Sequence, residues 1–380
     1  MNFTLVTLSN FFFFCNFSSF FLLPVHIRNL GGSESEIGWI MGAFGVTSLL
    51  CIPPVSALSD RRGRRPLMAA GALLMAGASA LFLFIDGLGW EIFALRLIQG
   101  AGFAAFFTSA SAAAADMAEP GRVAERLSVF GAFTILSYAA GPAAGEWVMN
   151  TAGAEGLIIY ASSFGFAAFA LCLFVKDENF SPGEQPSPRE RGRMFTALFT
   201  KDRAAILFAN LTLAVGLGAM LNFFAVFADE SGFAASRFFL TYAATVIAVR
   251  ILSAKIADGA GGKRVASFAL LAVAAALFLV SQTRSDTQVV LFCFLFSAAY
   301  GLLYPALGAM MADRAQTGMA NAMGAFNMSF SLGINYAAFP LGMVADAFGL
   351  RTMFVAAAGV VLCGFLLFSA PRSETAGRER

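Results

Sequence analysis

Charged residues are scarce in this sequence. Only 13% of the 380 residues are Asp, Glu, Lys or Arg, whereas 58% are hydrophobic and the mean hydropathy is +0.74. Because soluble domains are typically about one quarter charged, this deficit excludes an ordinary soluble enzyme or binding domain. The core of a soluble domain of this size could not bury 43 phenylalanines either. The composition therefore predicts an all-α protein that crosses a membrane several times.

Histidine and cysteine are scarce as well. The single histidine, His26, excludes a site built from several histidines, and no metal or other cofactor is expected. The sequence offers no Ser–His pair, paired aspartates or metal ligands at matching depths, so we expect no enzyme activity. The five cysteines fall inside apolar runs and are interpreted as small packing residues: Cys15, Cys51, Cys172, Cys293 and Cys363.

A phosphate-binding loop is also missing. The run Gly261-Gly262-Lys263 has no Ser or Thr after it and does not connect a strand to a helix, so nucleotide binding is not expected. Nothing in the sequence points to a nucleic-acid partner. A transport function would therefore have to be driven by a gradient.

Apolar runs long enough to cross a hydrocarbon core of about 30 Å recur along the whole chain. The first run has no basic residue before it and no cleavage pattern after it, so it is interpreted as a span and not as a removed signal. We predict twelve spans, at Phe3–Val25, Ile37–Leu58, Leu67–Ile85, Trp90–Ala113, Leu127–Met149, Leu157–Val175, Ala204–Ala228, Phe238–Ile256, Val265–Gln282, Val289–Met311, Ala322–Ala345 and Thr352–Ala370.

The basic residues predict the orientation of these spans. With both termini in the cytoplasm, 19 of the 25 Lys and Arg residues lie in inside segments, four lie in outside loops and two, Arg96 and Arg250, lie within spans. This excess of basic residues on one side follows the positive-inside rule. A wrong number of spans would place many of them on the opposite side and remove the excess. We therefore expect a multi-pass protein of the cell (inner) membrane with cytoplasmic N- and C-termini.

The chain divides into two similar halves. Residues 1–175 and 204–370 each contain six spans, joined by a proline-containing linker at 176–203 and followed by a tail at 371–380. Acidic and proline residues recur at a spacing of 197 or 198 residues, in the pairs Asp60 and Asp258, Asp116 and Asp313, and Pro142 and Pro340. Duplicated six-helix units are common in secondary transporters.

Three short motifs stand out. The first, Ser56–Arg65, is a turn between spans two and three that contains Asp60 and four arginines. The second is Arg96-Leu97-Ile98-Gln99-Gly100-Ala101-Gly102 in span four, and the third is Gly141-Pro142-Ala143-Ala144-Gly145 in span five. In this order they resemble motifs of the major facilitator superfamily, although the first begins with Ser where Gly is usual. The third is similar to a motif of its drug:proton antiporters, but Glu146 follows where a second glycine is typical.

The resemblance implies a latch at the cytoplasmic face. In the family, the aspartate of the first motif meets the N-terminus of a helix in the other half, and an arginine pairs with an acid at the end of helix four. Such a latch would hold the halves together in the outward-open state; alternatively, these charges only mark the topology. The predicted members are Asp60, Arg61, Gly63, Arg64, Asp116 and Asp258.

Arg96, Glu146 and Glu91 are the candidates for a role in proton coupling. Arg96 lies about two turns into span four, and a buried arginine is costly unless it is paired. Glu91 and Glu146 are the candidate partners, and a carboxylate held between an arginine and an apolar environment can bind and release protons. Glu146 is therefore predicted to couple transport to protons. The alternatives are a structural Arg–Glu pair, or a Glu146 side chain that reaches the outer headgroups.

Span five is expected to bend, because proline removes a backbone donor and glycines allow close packing. Gly141, Pro142 and Gly145 are the predicted bending residues there, and Pro340 is the one in span eleven. Ordinary packing of small residues between helices remains an alternative for all four.

The substrate cavity is predicted near mid-depth between the halves. Because a polar group in lipid needs a partner, polar residues at this depth should face either the cavity or a neighbouring helix. Few charges lie there, which favours an uncharged or amphipathic cargo, and most phenylalanines are expected to face lipid. The candidate cavity residues are Asn16, Gln99, Asn210, Asn222, Tyr300, Tyr304, Asn327 and Asn335.

The predicted function is proton-coupled efflux of a small organic molecule by a monomeric, lipid-embedded transporter. One alternative is uptake of a sugar, organic acid or other metabolite by symport or uniport. Another is a receptor that uses the same scaffold without transporting anything. The fold does not identify the cargo.

Overall fold

The computed structural model describes residues 2–119, 122–176, 201–253, 262–314 and 319–370, and within them all regular structure is helical. Most of the predicted linker, the whole tail and Asp258 lie outside these residues. The helices are α1 Asn2–Ser19, α2 Leu23–Asn29, α3 Glu34–Arg62, α4 Arg64–Leu81, α5 Trp90–Asp116, α6 Val123–Cys172, α7 Lys201–Ser231, α8 Ser236–Ser253, α9 Gly262–Ser281, α10 Asp286–Asp313, α11 Met319–Tyr336, α12 Ala338–Phe348 and α13 Leu350–Ser369.

Ten helical stretches of the described chain are long and apolar enough to cross a membrane. One of them, Glu125–Cys172, has 48 residues and would extend about 72 Å if it were straight, which is more than twice the hydrocarbon core. Gly153 interrupts it with φ 70° and ψ −170°, a conformation that glycine adopts without strain. Since α6 thus holds spans five and six, and α8 supplies span eight, the described helices account for the twelve predicted spans.

Local sequence sets several helix ends. Ser33 and Glu36 form a capping box at the start of α3, which satisfies backbone donors that have no partner within the helix. Gly63 separates α3 from α4 with φ 93°, and Gly349 separates α12 from α13 with φ 85°. These glycines permit antiparallel turns of a single residue.

Two spans are interrupted just before a proline. Span eleven breaks between Tyr336 and Ala338, and Pro340 follows. Span one tightens to a 3₁₀ turn at Phe20–Leu22, before Pro24. Proline has no N–H group to donate to the carbonyl oxygen four residues earlier, and its ring clashes with that carbonyl group. The helix is therefore interrupted or tightened at that point.

The two halves are packed by similar helix pairs. In residues 2–176, α1 packs on α6, and α5 packs on α3 and α4; in residues 201–370, α7 packs on α11 and α13, and α9 packs on α10 and α13. Of the described phenylalanines, 17 are buried and eight are exposed, so the predicted lipid-facing position does not hold for those 17. Phe13 and Phe106, for example, stack with ring centroids 3.9 Å apart. Many rings therefore fill space between helices.

The halves meet closely at one membrane face. We call this the closed face; α3 begins there and α12 ends there. Gly38, Gly42 and Gly45 line one side of α3 and contact α11 and α12: a Cβ atom on Gly38 would collide with the carbonyl oxygen of Ala338, and one on Gly42 would collide with the ring of Phe339. Small residues at this spacing let two backbones approach.

The opposite face is called the arginine face, because Arg61, Arg62, Arg64 and Arg65 lie there, where α3 ends and α4 begins. Hydrogen bonds and ring contacts that join described residues of the two halves lie at the closed face or at mid-depth. At the arginine face, the described hydrogen bonds stay within a half, for example from the Asn2 side chain to the Lys176 carbonyl oxygen and from Arg203 to Arg314. The structure is thus closed at one face.

Gly38→Ala should hinder this closure, because the added methyl group meets backbone atoms that cannot move aside. We expect disulfide formation between cysteines placed at Ser35 and Asp346, which are hydrogen-bonded across the closed face at 2.8 Å, to slow by about fivefold or more. Gly359→Ala is the matched control, since no atom lies within 4 Å of its added Cβ. Equal cross-linking in the two variants would contradict the tight contact at Gly38.

Candidate functional site

Three charged side chains meet at the arginine face. Arg64 pairs with Asp60, one turn earlier across the Gly63 turn, and its Nε donates to Asp116 Oδ2 at 3.0 Å. Arg64 Nη1 also donates to Ser59 Oγ at 3.2 Å. Only 14% of the Arg64 side chain is exposed, whereas 32% of Asp60 and 36% of Asp116 are exposed. Since one arginine joins two carboxylates, this is a network and not an isolated surface pair.

The network ties α3, α4 and α5 of the first half together. Its Arg64–Asp116 pair is the one that the family resemblance implied. Arg61 is exposed beside it. A contact between Asp60 and the second half stays a prediction, because residues 315–318, which precede α11, lie outside the described chain, as does Asp258.

Glu146 joins the two halves at the closed face. Its carboxylate oxygens accept hydrogen bonds from the backbone N–H groups of Ala235, at 2.7 Å, and Ser236, at 2.8 Å. These groups begin α8, so a side chain of the first half caps a helix of the second. A carboxylate is favourable there because the helix N-terminus carries partial positive charge.

Further polar contacts surround this cap at the closed face. Arg28 donates to Glu230 at 3.0 Å across the halves and lies 3.7 Å from Glu34. The Ser35 hydroxyl group donates to Asp346. Water-exposed groups can form and break such bonds at little net cost, as a gate requires.

The predicted pairing of Arg96 with Glu91 or Glu146 does not occur in this structure. Glu91 is exposed at the start of α5, and Glu146 is engaged with α8. Arg96, which is 2% exposed, instead donates to Gln99 Oε1 at 2.9 Å, one turn along its own helix, and lies over the ring of Phe44 with its Cζ 4.9 Å from the centroid. An uncharged acceptor and a ring face thus stand where a carboxylate was expected.

Arg96 starts a buried polar chain across four helices. Gln99 Nε2 donates to Ser79 Oγ at 3.0 Å, the Ser79 hydroxyl group donates to Asn16 Oδ1 at 3.2 Å, and Asn16 Nδ2 donates to the Ala161 carbonyl oxygen at 2.7 Å. The four side chains of this hydrogen-bonded series are all nearly or fully buried. Two predicted cavity residues, Asn16 and Gln99, therefore hold helices α1, α4, α5 and α6 together in this conformation. Ser79 was not predicted from the sequence.

The two halves repeat one hydrogen-bonding pattern. Asn10 of α1 donates to Thr134 Oγ1 at 2.8 Å on α6, and Asn210 of α7 donates to the Phe326 carbonyl oxygen at 2.7 Å and to Ser329 Oγ at 2.9 Å on α11. Asn210 was named as a cavity residue and here ties two helices. Asn10 was missed, although its spacing of 200 residues from Asn210 follows the internal repeat.

The remaining cavity candidates lie in the second half, close to α3 and α8. Asn222 donates to the Gly218 carbonyl oxygen on its own helix at 2.9 Å, and Asn335 packs against Gly45. The rings of Tyr300 and Tyr304 are 6.1 Å apart, and the Tyr304 hydroxyl group donates to Asn327 Oδ1 at 3.4 Å.

Glycine and proline shape span five as well. Gly141 lies against α1, where a Cβ atom would collide with Ser18 Oγ, and a Cβ on Gly145 would come within 3.0 Å of Leu157 and 3.3 Å of Leu22. Pro142 lies inside α6, before the interruption at Gly153. Within the described residues, no group of three potential metal ligands comes together.

Comparison with known proteins gives a consistent family. A family model described as "Major Facilitator Superfamily" matches residues 5–338. The chain is 25% identical over 355 residues to the multi-drug resistance efflux pump PmrA of Streptococcus pneumoniae, covering 88% of this chain and 86% of that protein. It is also 25% identical over 355 residues to the multidrug resistance protein MdtG of Salmonella arizonae, with 90% and 87% covered.

Solved structures show the same fold. The nucleoside transporter NupG aligns with a TM-score of 0.77 at 14% identity, covering 97% of this chain and 98% of that one. The human organic anion transporter MFSD10 aligns with a TM-score of 0.70 at 20% identity, again covering 97% and 98%. At these identities the similarity concerns the fold alone.

Gln99→Leu should destabilise the protein, because it removes the acceptor of Arg96 Nη1 and the donor to Ser79 from a buried site. Leaving a buried charged donor unpaired costs about 2 kcal/mol or more, so we expect the Tm of the purified protein to fall by several degrees. Ser163→Ala is the control, since that exposed hydroxyl group bonds only to the Tyr160 carbonyl oxygen of its own helix. A Gln99→Leu Tm equal to that of the control would contradict the network's contribution.

Proposed function

The chain belongs to the Major Facilitator Superfamily, and we propose that it exports a small organic molecule by proton-coupled alternating access. The observation that carries this proposal is the way in which one face is closed. Glycine contacts and the Glu146 cap join the two halves there, through groups near the water-exposed ends of their helices. A transporter that exposes its cargo site to one side at a time needs such an arrangement. The efflux pumps among its relatives support export.

We propose that the arginine face is cytoplasmic and that the protein resides in the inner membrane. The excess of Lys and Arg in the segments on that side supports this orientation. The conformation described here is then inward-facing, with the outer side closed. The Arg64 network lies at the side that must close next, where the family resemblance implies a latch.

Glu146 is proposed to link the outer gate to protons. The cap needs a carboxylate with two acceptor oxygens, and protonation removes its charge and turns one oxygen into a donor. A proton that reaches Glu146 from outside therefore weakens the cap on α8 and favours opening of the outer face. This role replaces the predicted pairing with Arg96 but retains Glu146 as the coupling residue.

Asp60→Asn should reduce transport, because it removes a charge from the Arg64 network. In inverted membrane vesicles we expect the wild type to accumulate anionic carboxyfluorescein or cationic ethidium in a manner abolished by an uncoupler, and the variant to do so about tenfold more slowly at equal protein level. The exposed Asp86, changed to Asn, is the control. Uncoupler-sensitive accumulation in right-side-out vesicles would identify uptake, and no accumulation of either dye would contradict export.

Glu146→Gln should favour an open outer face, since the amide offers one acceptor oxygen and turns its NH₂ group toward the remaining backbone donor. Labelling of a cysteine placed at Ala235 with a membrane-impermeant maleimide should become about fivefold faster or more. The reason is that the loss of one charge-assisted hydrogen bond lowers the ratio of closed to open outer faces by a factor of that size. The exposed Glu155, changed to Gln, provides the same charge change on α6. Unchanged labelling would rule out the cap as a gate.

A further inference from the structure

Arg250 of α8 is a charged side chain that forms no ion pair with another described residue. It lies about 21 Å along the helix from its first residue, Ser236, which places it inside a hydrocarbon core of about 30 Å. Its Nε is buried without a hydrogen-bond partner among the described residues. An intramembrane arginine that no protein group neutralises is costly. A bound anion would offset that cost.

An aromatic wall runs beside this arginine. Tyr242 and Tyr300 have ring centroids 5.6 Å apart, and Tyr304 lies 6.1 Å from Tyr300 and 4.7 Å from Phe330. The wall continues into the first half, where Tyr138 lies 6.4 Å from Tyr242. It therefore spans the interface between the halves, where flat apolar surfaces can pack against a ring.

Arg250 lies at the depth of the wall. α8 packs on α10, and a Cβ atom on Gly301 of α10 would come within 3.2 Å of Val249. Since Val249 precedes Arg250 and Gly301 follows Tyr300, the guanidinium-bearing residue and the tyrosines of α10 occupy the same level of the helix pair. Arg250 and Tyr304 are both partly exposed, and Asn327, which accepts the Tyr304 hydrogen bond, is exposed. The site thus combines a guanidinium group, phenol donors, an amide and ring faces.

Acidic residues are missing from the helices around this site. In the sequence, α8 and α11 contain none, and α10 has only Asp286 and Asp313, at its two ends. On α6, Glu146 lies about 12 Å beyond Tyr138 along the helix and is engaged with the start of α8. A cationic cargo would meet Arg250 without a carboxylate to neutralise it, although ring faces alone attract cations.

We propose that Arg250, Tyr242, Tyr300, Tyr304 and Asn327 bind an aromatic organic anion, and that the cargo belongs to this class. The carboxylate accepts from the guanidinium group, whose planar fork matches it, and the ring packs on Tyr304 and Phe330. This inference rests on the proposed transport function and narrows the sequence-based expectation of an uncharged or amphipathic cargo to an amphipathic anion.

Equilibrium binding to the purified full-length protein in detergent tests the site without requiring transport. Three probes share one ring system: 1-naphthoate is an anion, 1-naphthamide is neutral and 1-naphthylmethylammonium is a cation. We expect naphthoate to bind about tenfold or more tightly than the amide, as one charge-assisted hydrogen bond provides, and the cation to bind more weakly than the amide.

Arg250→Gln should reduce naphthoate affinity to that of the amide and leave amide binding unchanged, whereas Arg250→Lys should retain part of the preference. Unchanged amide binding also shows that the variant is folded. The inference is overturned if the cation binds best, if naphthoate shows no preference or no binding, or if Arg250→Gln keeps the preference. Failure of the transport proposal has another signature, the absence of uncoupler-sensitive dye accumulation, so the two outcomes remain distinct.

Discussion

A hydrocarbon environment offers no hydrogen-bond partners, so every polar group in a span must find one within the protein. The described chain meets most of this constraint with helices and with short side-chain ties between them, although Arg96 Nε and Arg250 Nε are buried without a partner. Asn10 and Asn210 each join the first and fifth spans of a half, and Asn16, Ser79 and Gln99 connect Arg96 to a backbone carbonyl group. These ties make each half a rigid unit. Motion is then expected between the halves.

The contacts between the halves differ in kind from the contacts within them. One face is closed by glycine surfaces on α3 and by a carboxylate cap at the start of α8. The Ala338 carbonyl oxygen, the Phe339 ring and the Asn335 side chain pack against these glycines. Both the glycine contacts and the cap can separate without exposing an unsatisfied group in lipid, because the cap lies near the water-exposed end of its span. Such an interface suits repeated opening. Arg250, which forms no ion pair with another described residue, lies beside this interface and is the proposed binding group for an anionic cargo.

Sequence patterns predicted what depends on neighbours along the chain. Apolar run length located the spans. The Arg64–Asp116 pair, whose members are 52 residues apart, was implied by the family resemblance. The contacts between the halves could not be predicted from the sequence. Glu146, for example, accepts hydrogen bonds from backbone N–H groups 89 and 90 residues away, and every residue except proline has such a group. The Gln99 partner of Arg96 could have been predicted, since residues three apart on a helix are neighbours. It was not predicted because a carboxylate partner was expected for the buried arginine.

Double electron–electron resonance between spin labels in lipid nanodiscs measures alternating closure most directly. One pair of labels, at Glu36 and Ala347, reports on the closed face, and another, at Arg62 and Asp313, reports on the arginine face; all four are exposed. At rest we expect a short, narrow distance distribution at the closed face and a longer, broader one at the arginine face. Acidification should lengthen the first and shorten the second together. Distances that stay fixed, or that move in the same direction at both faces, would contradict alternating access.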